Sequence, residues 1–219
     1  MHLKCPSHHL TQSRQCADKL CMDNSALRRL MLVLGAALVV LAVAGSPAVG
    51  AVARSSQACE YTTTPVTAAT RAEVRSAVVC LIDQQRVEHG LPAVASNADL
   101  SRSAQNWTQT MVNTGEFSHG ADFAARITAA GLKWSSAGEN IATGFVTPAQ
   151  VVAAWMASLG HCQNILNPSF SQVGIGFVSS PVSNYATQAA TWTADFALPM
   201  GSAPPSRNLA PMNGCPYRS

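Results

Sequence analysis

Residues 172–179, QVGIGFVS, and residues 188–197, QAATWTADFA, decide the fold class of this chain. Both stretches are short and contain the β-branched and aromatic residues that are typical of strands. The part of the chain that precedes them carries helix patterns instead. Helices first and strands last indicate an α+β domain in which helices cover the sheet.

The predicted helices are recognised by the residues at their starts. Thr70 and Glu73 form a capping box, in which each side chain accepts a hydrogen bond from a backbone N–H near the other. Thr147 and Gln150 repeat this arrangement, and Pro148 stands at the first helical position, where proline is favoured. Residues 132–146 read as loop with short extended pieces. We therefore expect helices that begin at Thr70, Asn97, Asp122 and Thr147 and end near Gly90, Gly115, Gly131 and Gly160.

The N-terminal part predicts a signal peptide. Residues 30–44 (LMLVLGAALVVLAVA) are apolar, Arg28 and Arg29 precede them, and residues 51–53 (AVA) have the form of a cleavage site. The apolar run is shorter than the ~20 residues that a membrane-spanning helix needs. We assign residues 22–53 to the signal peptide and expect no permanent membrane anchor after cleavage. An uncleaved anchor is the alternative.

Residues 1–21 lie upstream of this signal and are rich in cysteine and histidine. Such a tract can bind metal, but it has no C-x2-C pair with histidines at zinc-finger spacing. We interpret it as an extension that arises from a misassigned start codon, with translation beginning at Met22 or Met31.

The remaining chain, residues 54–219, has nine basic and nine acidic side chains, so its net charge is zero. The whole-chain surplus of +3 therefore belongs to residues 1–53, and no basic surface predicts nucleic acid as a partner. We divide this part into an N-terminal arm (54–72), one folded domain (73–198) and an irregular tail (199–219), and we expect a monomer.

Four cysteines lie in the exported part of the chain. An even number in an exported protein suggests two disulfides, for which three pairings are possible. We favour the pairing that ties the N-terminal stretch to a helix and the tail to the region of the candidate cleft, with buried free thiols as the alternative. The favoured pairs are Cys59–Cys80 and Cys162–Cys215.

Two histidines and one carboxylate are the candidates for chemistry. His119 and His161 each lie beside a glycine in a predicted break between helices, and Glu139 lies between them in the sequence. Two imidazoles and a carboxylate are the ligand set of an open catalytic zinc site. They could also act as a general acid and base. In the alternative, each histidine bonds a backbone group and Glu139 has a structural role.

Eight short motifs occur in a fixed order along residues 74–197 and resemble the CAP superfamily (cysteine-rich secretory, antigen 5 and pathogenesis-related 1 proteins) in its bacterial SCP-domain form. They are LIDQQR (81–86), GLP (90–92), FSH (117–119), Arg126 with Ala130 and Gly131, GENIA (138–142), WMASLGH (155–161), NILNP (164–168) and VGIG (173–176).

The resemblance implies an α-β-α sandwich with a central antiparallel sheet flanked by helices and a cleft lined by two histidines and two acids. His119, Glu139 and His161 match three of these positions, whereas Ser158 stands where the family usually has the second acid. We expect this serine to weaken metal binding. Ser158 could instead be a nucleophile with His161 as its base and Glu139 as the orienting group. However, it lacks the G-x-S-x-G elbow.

Three functions are compatible with these residues. The resemblance favours a secreted module that binds a small apolar ligand, such as a sterol or other lipid, or an extracellular protein partner. This module would require no cofactor, although zinc or another divalent metal could bind the cleft. The alternatives are a metal-assisted, peptidase-like hydrolase that acts on extracellular or envelope substrates, and a purely structural role. Enzymatic activity is the less favoured reading.

Overall fold

The computed structural model describes residues 58–182, 189–207 and 214–216. Backbone contacts divide the chain into two units, residues 1–53 and 54–219, and every described residue belongs to the second. The expected upstream extension (1–21) and signal peptide (22–53) lie outside the described residues. So do residues 54–57 of the arm and residues 208–213 and 217–219 of the tail. In the described part, no helix has the length and apolar character needed to cross a membrane.

Among the described residues, capping side chains begin four of the five helices where the sequence predicts. Both capping boxes form, at Thr70 with Glu73 and at Thr147 with Gln150. Asn97 caps the second helix by accepting a hydrogen bond from the Leu100 N–H. The helices are α1 (Arg71–Glu88), α2 (Ala98–Thr114), α3 (Phe123–Ala129), α4 (Pro148–Met156) and α5 (Leu159–Ile165).

One four-stranded sheet forms the middle layer. Its strands are β1 (Ala95–Ser96), β2 (Trp134–Phe145), β3 (Gln172–Val178) and β4 (Ala190–Pro199), in the spatial order β1-β3-β4-β2. The β2–β4 and β3–β4 pairs are antiparallel, whereas the short β1 pairs with β3 in parallel. The two stretches that decide the fold class are therefore both strands, although β4 continues to Pro199, which we expected to lie in the irregular tail.

Helices cover both faces of the sheet and complete an α-β-α sandwich. On one face, Val173 and Ile175 of β3 join the main apolar core with residues of α1, α4 and α5. On the other face, Gly174 and Gly176 lie against α2, since a Cβ atom added at Gly174 would be only 2.1 Å from the Ser101 nitrogen. The expected fold is confirmed.

The prediction for residues 132–146 was wrong, because most of this stretch forms the twelve-residue strand β2. Its buried middle, residues 138–142, is covered on both faces, so the period-two alternation of a half-exposed strand is missing. Pairing with β4 along its whole length makes it a strand. This is a long-range interaction that local pattern does not report.

The predicted end of the fourth helix at Gly160 was also wrong. α4 ends at Met156, Ser158 is extended (φ −112°, ψ 127°), and α5 begins at Leu159. Gly160 and His161 therefore lie inside a helix and not in a loop. A glycine marks a helix end when its φ is positive, and Gly160 is not among the glycines with positive φ.

Two disulfides join the ends of the domain to its helices. Cys59 is bonded to Cys80 in α1, and Cys162 in α5 is bonded to Cys215 of the tail. This is the pairing favoured from the sequence, and it excludes free thiols at these four positions.

Arg86 is a buried hub that sequence reasoning did not identify. Its side chain is fully buried, yet its guanidinium donates to the main-chain oxygens of Pro92, Ile165, Asn167 and Phe170. Burial lowers its pKa to about 10. These hydrogen bonds tie α1 to the end of α5, on the face of the sheet that carries His161.

Candidate functional site

The outer edge of β2 holds the candidate site. β2 is the end strand of the sheet, so Glu139 pairs across one side only, with Asp195 of β4. On the open side, the Glu139 carbonyl accepts a hydrogen bond from Asn164 Nδ2 at 3.1 Å, and the Ile141 carbonyl accepts one from Trp155 Nε1 at 3.4 Å. Side chains of α5 and α4 thus complete the hydrogen bonds of this edge.

His119 meets Glu139 from the loop between α2 and α3. This loop begins where Gly115 (φ 73°) ends α2, and it is fastened by a hydrogen bond from Trp107 Nε1 to the Ser118 carbonyl at 3.0 Å. His119 Nδ1 lies 2.8 Å from Oε1 of Glu139. Because a carboxylate accepts from Nδ1–H, Nε2 is the nitrogen of this half-exposed ring that a ligand can reach.

Arg126 of α3 takes the other oxygen of Glu139. Its Nη2 lies 2.6 Å from Oε2, and its Nη1 donates to the His119 carbonyl at 2.9 Å. The guanidinium also lies over the ring of Trp107, 3.8 Å from the centroid, which is a cation–π contact. The Glu139 side chain is only 1% exposed, so these two partners offset the cost of burying its charge.

His161 lies in α5, which is joined to the β2 edge by main-chain and side-chain hydrogen bonds. Its main-chain carbonyl accepts a hydrogen bond from Asn140 Nδ2 at 3.0 Å. Burial lowers the pKa of the His161 imidazole, and the charge of His119 lowers it further. The two rings therefore lie within electrostatic range of each other, and His161 is neutral at neutral pH.

Asp195 is a buried acid beneath the site that sequence reasoning missed. It is 1% exposed and is the cross-strand partner of Glu139. Ser103 and Glu139 lie close enough to interact with the Asp195 carboxyl group, but among the described residues no hydrogen bond of good geometry forms to either of its oxygens or to the buried Ser103 Oγ. Burial raises the pKa of Asp195 well above its usual value, and the Glu139 charge raises it further. In the sequence, Asp195 is recognisable as the single acidic residue of the predicted strand 188–197.

The predicted zinc ligands do not form a metal-binding group. Arg126 and His119 occupy both oxygens of Glu139, and a guanidinium beside the carboxylate opposes a second cation. Within the described ranges, no three His, Cys, Asp or Glu side chains are placed to hold a metal ion. The described residues therefore do not offer the three-ligand set that a divalent metal at Glu139 would need. Arg126 is one of the ordered motif residues, but the sequence analysis did not predict that it lies at the site.

The serine triad is not formed either. Glu139, the proposed orienting group, contacts His119 and not His161. Ser158 is the residue that precedes α5, and its hydroxyl makes no capping hydrogen bond. The structure thus brings His119 and Glu139 together with Arg126 and places His161 nearby. A histidine–carboxylate pair of this kind can orient one ring nitrogen toward a ligand or a water molecule.

Residues 79–196 match the model of the cysteine-rich secretory protein family (CAP). An uncharacterized protein of Bacillus subtilis, YkwD, is 41% identical over 108 residues, which are 47% of this chain and 42% of YkwD. The region that matches the family model contains most of the sheet and the residues His119, Glu139 and His161.

Solved structures with the same fold include an extracellular SCP-domain protein of Bacillus anthracis. That structure has a TM-score of 0.50 and 23% identity, over 59% of this chain and 44% of the other. A cysteine-rich secretory protein of Staphylococcus aureus has a TM-score of 0.44 and 19% identity, over 55% and 37%. The chain thus spans less than half the length of these relatives.

Proposed function

The chain belongs to the cysteine-rich secretory protein (CAP) family, and on that basis we propose that it acts outside the cytoplasm as a binding module. The predicted signal peptide and the two disulfides support export, because disulfides persist in oxidising compartments. The similar protein of Bacillus anthracis is likewise described as extracellular.

The proposal rests on the two hydrogen bonds that the Glu139 carboxylate accepts. Both of its oxygens are held, by His119 Nδ1 at 2.8 Å and by Arg126 Nη2 at 2.6 Å. A catalytic zinc site has three protein ligands, so His119 and His161 would need Glu139 as the third, and an acid–base pair requires a second titratable group at the reacting atoms. A cleft whose carboxylate is already hydrogen-bonded and neutralised is better suited to binding a ligand than to either reaction.

The surface beside His119 suggests the class of ligand. Trp107, Val112 and Phe117 are partly buried and pack on a small apolar cluster of Met111, Ile141 and Val182. Apolar side chains next to one reachable imidazole nitrogen offer a contact area together with a polar anchor. This supports a small apolar ligand with one polar group, such as a fatty acid or sterol, ahead of a protein partner.

Titration calorimetry with palmitate and with cholesterol tests the proposal. We expect one of the two to bind the exported protein, and we expect Phe117→Ser to weaken this binding at least tenfold by removing apolar contact. Val87→Ser is the matched control, because Val87 is 60% exposed on α1, outside the apolar cluster beside His119. Binding of neither probe, or an equal effect of both substitutions, would contradict an apolar ligand at this site.

A hydrolase that needs no metal is the second candidate, favoured by the orientation of His119. With Nδ1 on Glu139, Nε2 could take a proton from an attacking water molecule. In that case His119→Gln, whose amide can still donate to Glu139 but cannot act as a base, abolishes release of fluorescent peptides from labelled casein, and EDTA has no effect. A protein that releases no peptides from casein or from labelled cell-wall material would leave the binding module as the better proposal.

A further inference from the structure

Arg126 links three parts of the molecule at the cleft. It donates to Oε2 of Glu139 on β2, donates to the His119 carbonyl of the loop and lies against the ring of Trp107 on α2. Its own Cα belongs to α3. The single positive charge of Arg126 therefore connects four elements of the fold at the pair formed by His119 and Glu139.

The packing around Arg126 keeps it in this position. Its side chain is only 21% exposed, and its Nε is buried. The adjoining loop is closely packed, since a Cβ atom at Gly120 would lie 2.7 Å from the Trp107 ring and 3.2 Å from Arg126 Nη1. A guanidinium held in this way cannot leave Glu139 without loosening the loop that carries His119.

The charges leave no room for a second cation. A metal ion binds a carboxylate oxygen at about 2.0–2.2 Å, and Oε2 already has Arg126 Nη2 at 2.6 Å. An ion at either oxygen would lie beside a fixed positive charge in a buried setting, where repulsion is poorly screened. The serine at position 158 also withholds the acid that could balance the added charge.

We propose that Arg126 is the resident cation of this cleft: it neutralises Glu139, holds His119 and excludes a divalent metal. The histidines and Glu139 become a zinc site only when this guanidinium is removed. This role does not depend on the proposed apolar ligand, because it concerns the charge of the cleft and not its apolar surface.

Titration of zinc chloride alone into the exported protein at pH 7.5 tests this role. We expect Arg126→Met to bind zinc at least 100-fold more tightly than the natural protein. We also expect this gain to disappear when His119→Ala is added. Arg126→Lys is the matched control, since it keeps the positive charge while losing the planar fork, and we expect it to remain as weak a zinc binder as the natural protein.

Zinc binding by the natural protein that is lost in His119→Ala would overturn the proposal. So would a folded Arg126→Met protein with no gain in affinity, or a gain in Arg126→Lys equal to that in Arg126→Met. If Arg126→Met does not fold, Arg126→Gln replaces it, because its amide can still donate to Glu139 while carrying no charge. The same 100-fold gain is then expected.

Discussion

Glu139 shows how a single buried carboxylate organises its surroundings. Its side chain is 1% exposed, and an isolated charge in such a place is costly. His119 and Arg126 arrive from a loop and a helix that are distant from β2 in sequence, and each engages one oxygen. The ionised carboxylate is therefore stable only because the tertiary structure delivers both partners.

Asp195 is the opposite case, a buried acid beside a carboxylate that is already paired. Burial and the Glu139 charge raise its pKa well above 3.8, so it is protonated in the folded chain at pH values where the unfolded chain has lost the proton. A raised pKa of an acid contributes stability below the unfolded value, and this contribution is lost as the pH rises toward the folded value.

We therefore expect Asp195→Asn to change the dependence of stability on pH. The amide resembles the protonated acid but cannot ionise, so the variant should be more stable than the natural protein at pH 8, and this advantage should shrink toward pH 4. Urea unfolding of both proteins at pH 4, 6 and 8 measures the difference. An advantage that is absent at pH 8, or constant over this range, would show that Asp195 is ionised in the folded protein.

At the scale of elements, the contact between α2 and β3 depends on two glycines. Cβ atoms at Gly174 and Gly176 would lie between 2.1 and 2.5 Å from the atoms of α2 nearest to them. These atoms include backbone, which cannot move aside as a flexible side chain can. The close approach lets α2 cover β3 and β4, and it positions the loop after α2 that carries His119.

Replacing Gly176 or Gly160 by alanine should change the free energy of unfolding in opposite directions. Gly176→Ala should lower the free energy of unfolding by about 3 kcal/mol or more, because its Cβ would lie 2.3 Å from the Ala104 carbonyl carbon. Gly160→Ala should raise it by about 0.5 kcal/mol, because alanine loses less backbone entropy in a helix. Its Cβ would have no atom within 4 Å.

Urea unfolding of both variants measures these changes. A stable Gly176→Ala protein would mean that α2 can shift away from β3. A destabilised Gly160→Ala protein would mean that α5 needs the freedom of glycine beside His161.

At the scale of the whole molecule, the disulfides attach both ends of the domain to its helical layer. Cys59–Cys80 fixes the arm to α1 and spans 21 residues, whereas Cys162–Cys215 fixes the tail to α5 and spans 53. A crosslink restricts the unfolded chain more when it closes a longer loop.

Loss of the longer crosslink should therefore cost more. Replacing Cys162 and Cys215 by alanine should lower the free energy of unfolding by about 0.8 kcal/mol more than replacing Cys59 and Cys80, if loop entropy dominates. The burial of Cys162 and Cys215 adds to this difference. Urea unfolding of the two double variants decides the point, and a larger loss from the shorter loop would show that local packing of the arm outweighs loop entropy.

Local chemistry explains which parts of the fold could be read from the sequence. Thr70 with Glu73 and Thr147 with Gln150 are correct helix starts because a capping box involves residues three apart. The disulfide pairs, β3 and most of β4 were likewise expected. β2 was missed because its buried residues have no alternation, and α5 because Gly160 resembles a helix end although its φ is not positive.

The sequence by itself determined the fold class, the helix starts and the residues His119, Glu139 and His161 as candidates, since these depend on residue type, near-neighbour spacing and the ordered motifs. Only the tertiary structure decided what these residues do. Arg126 is 13 positions from Glu139 and Asp195 is 56 positions from it, yet one contacts its carboxylate and the other lies opposite it in the sheet. Whether a carboxylate is free, paired or protonated depends on such long-range neighbours and on burial, and neither is encoded in local sequence pattern.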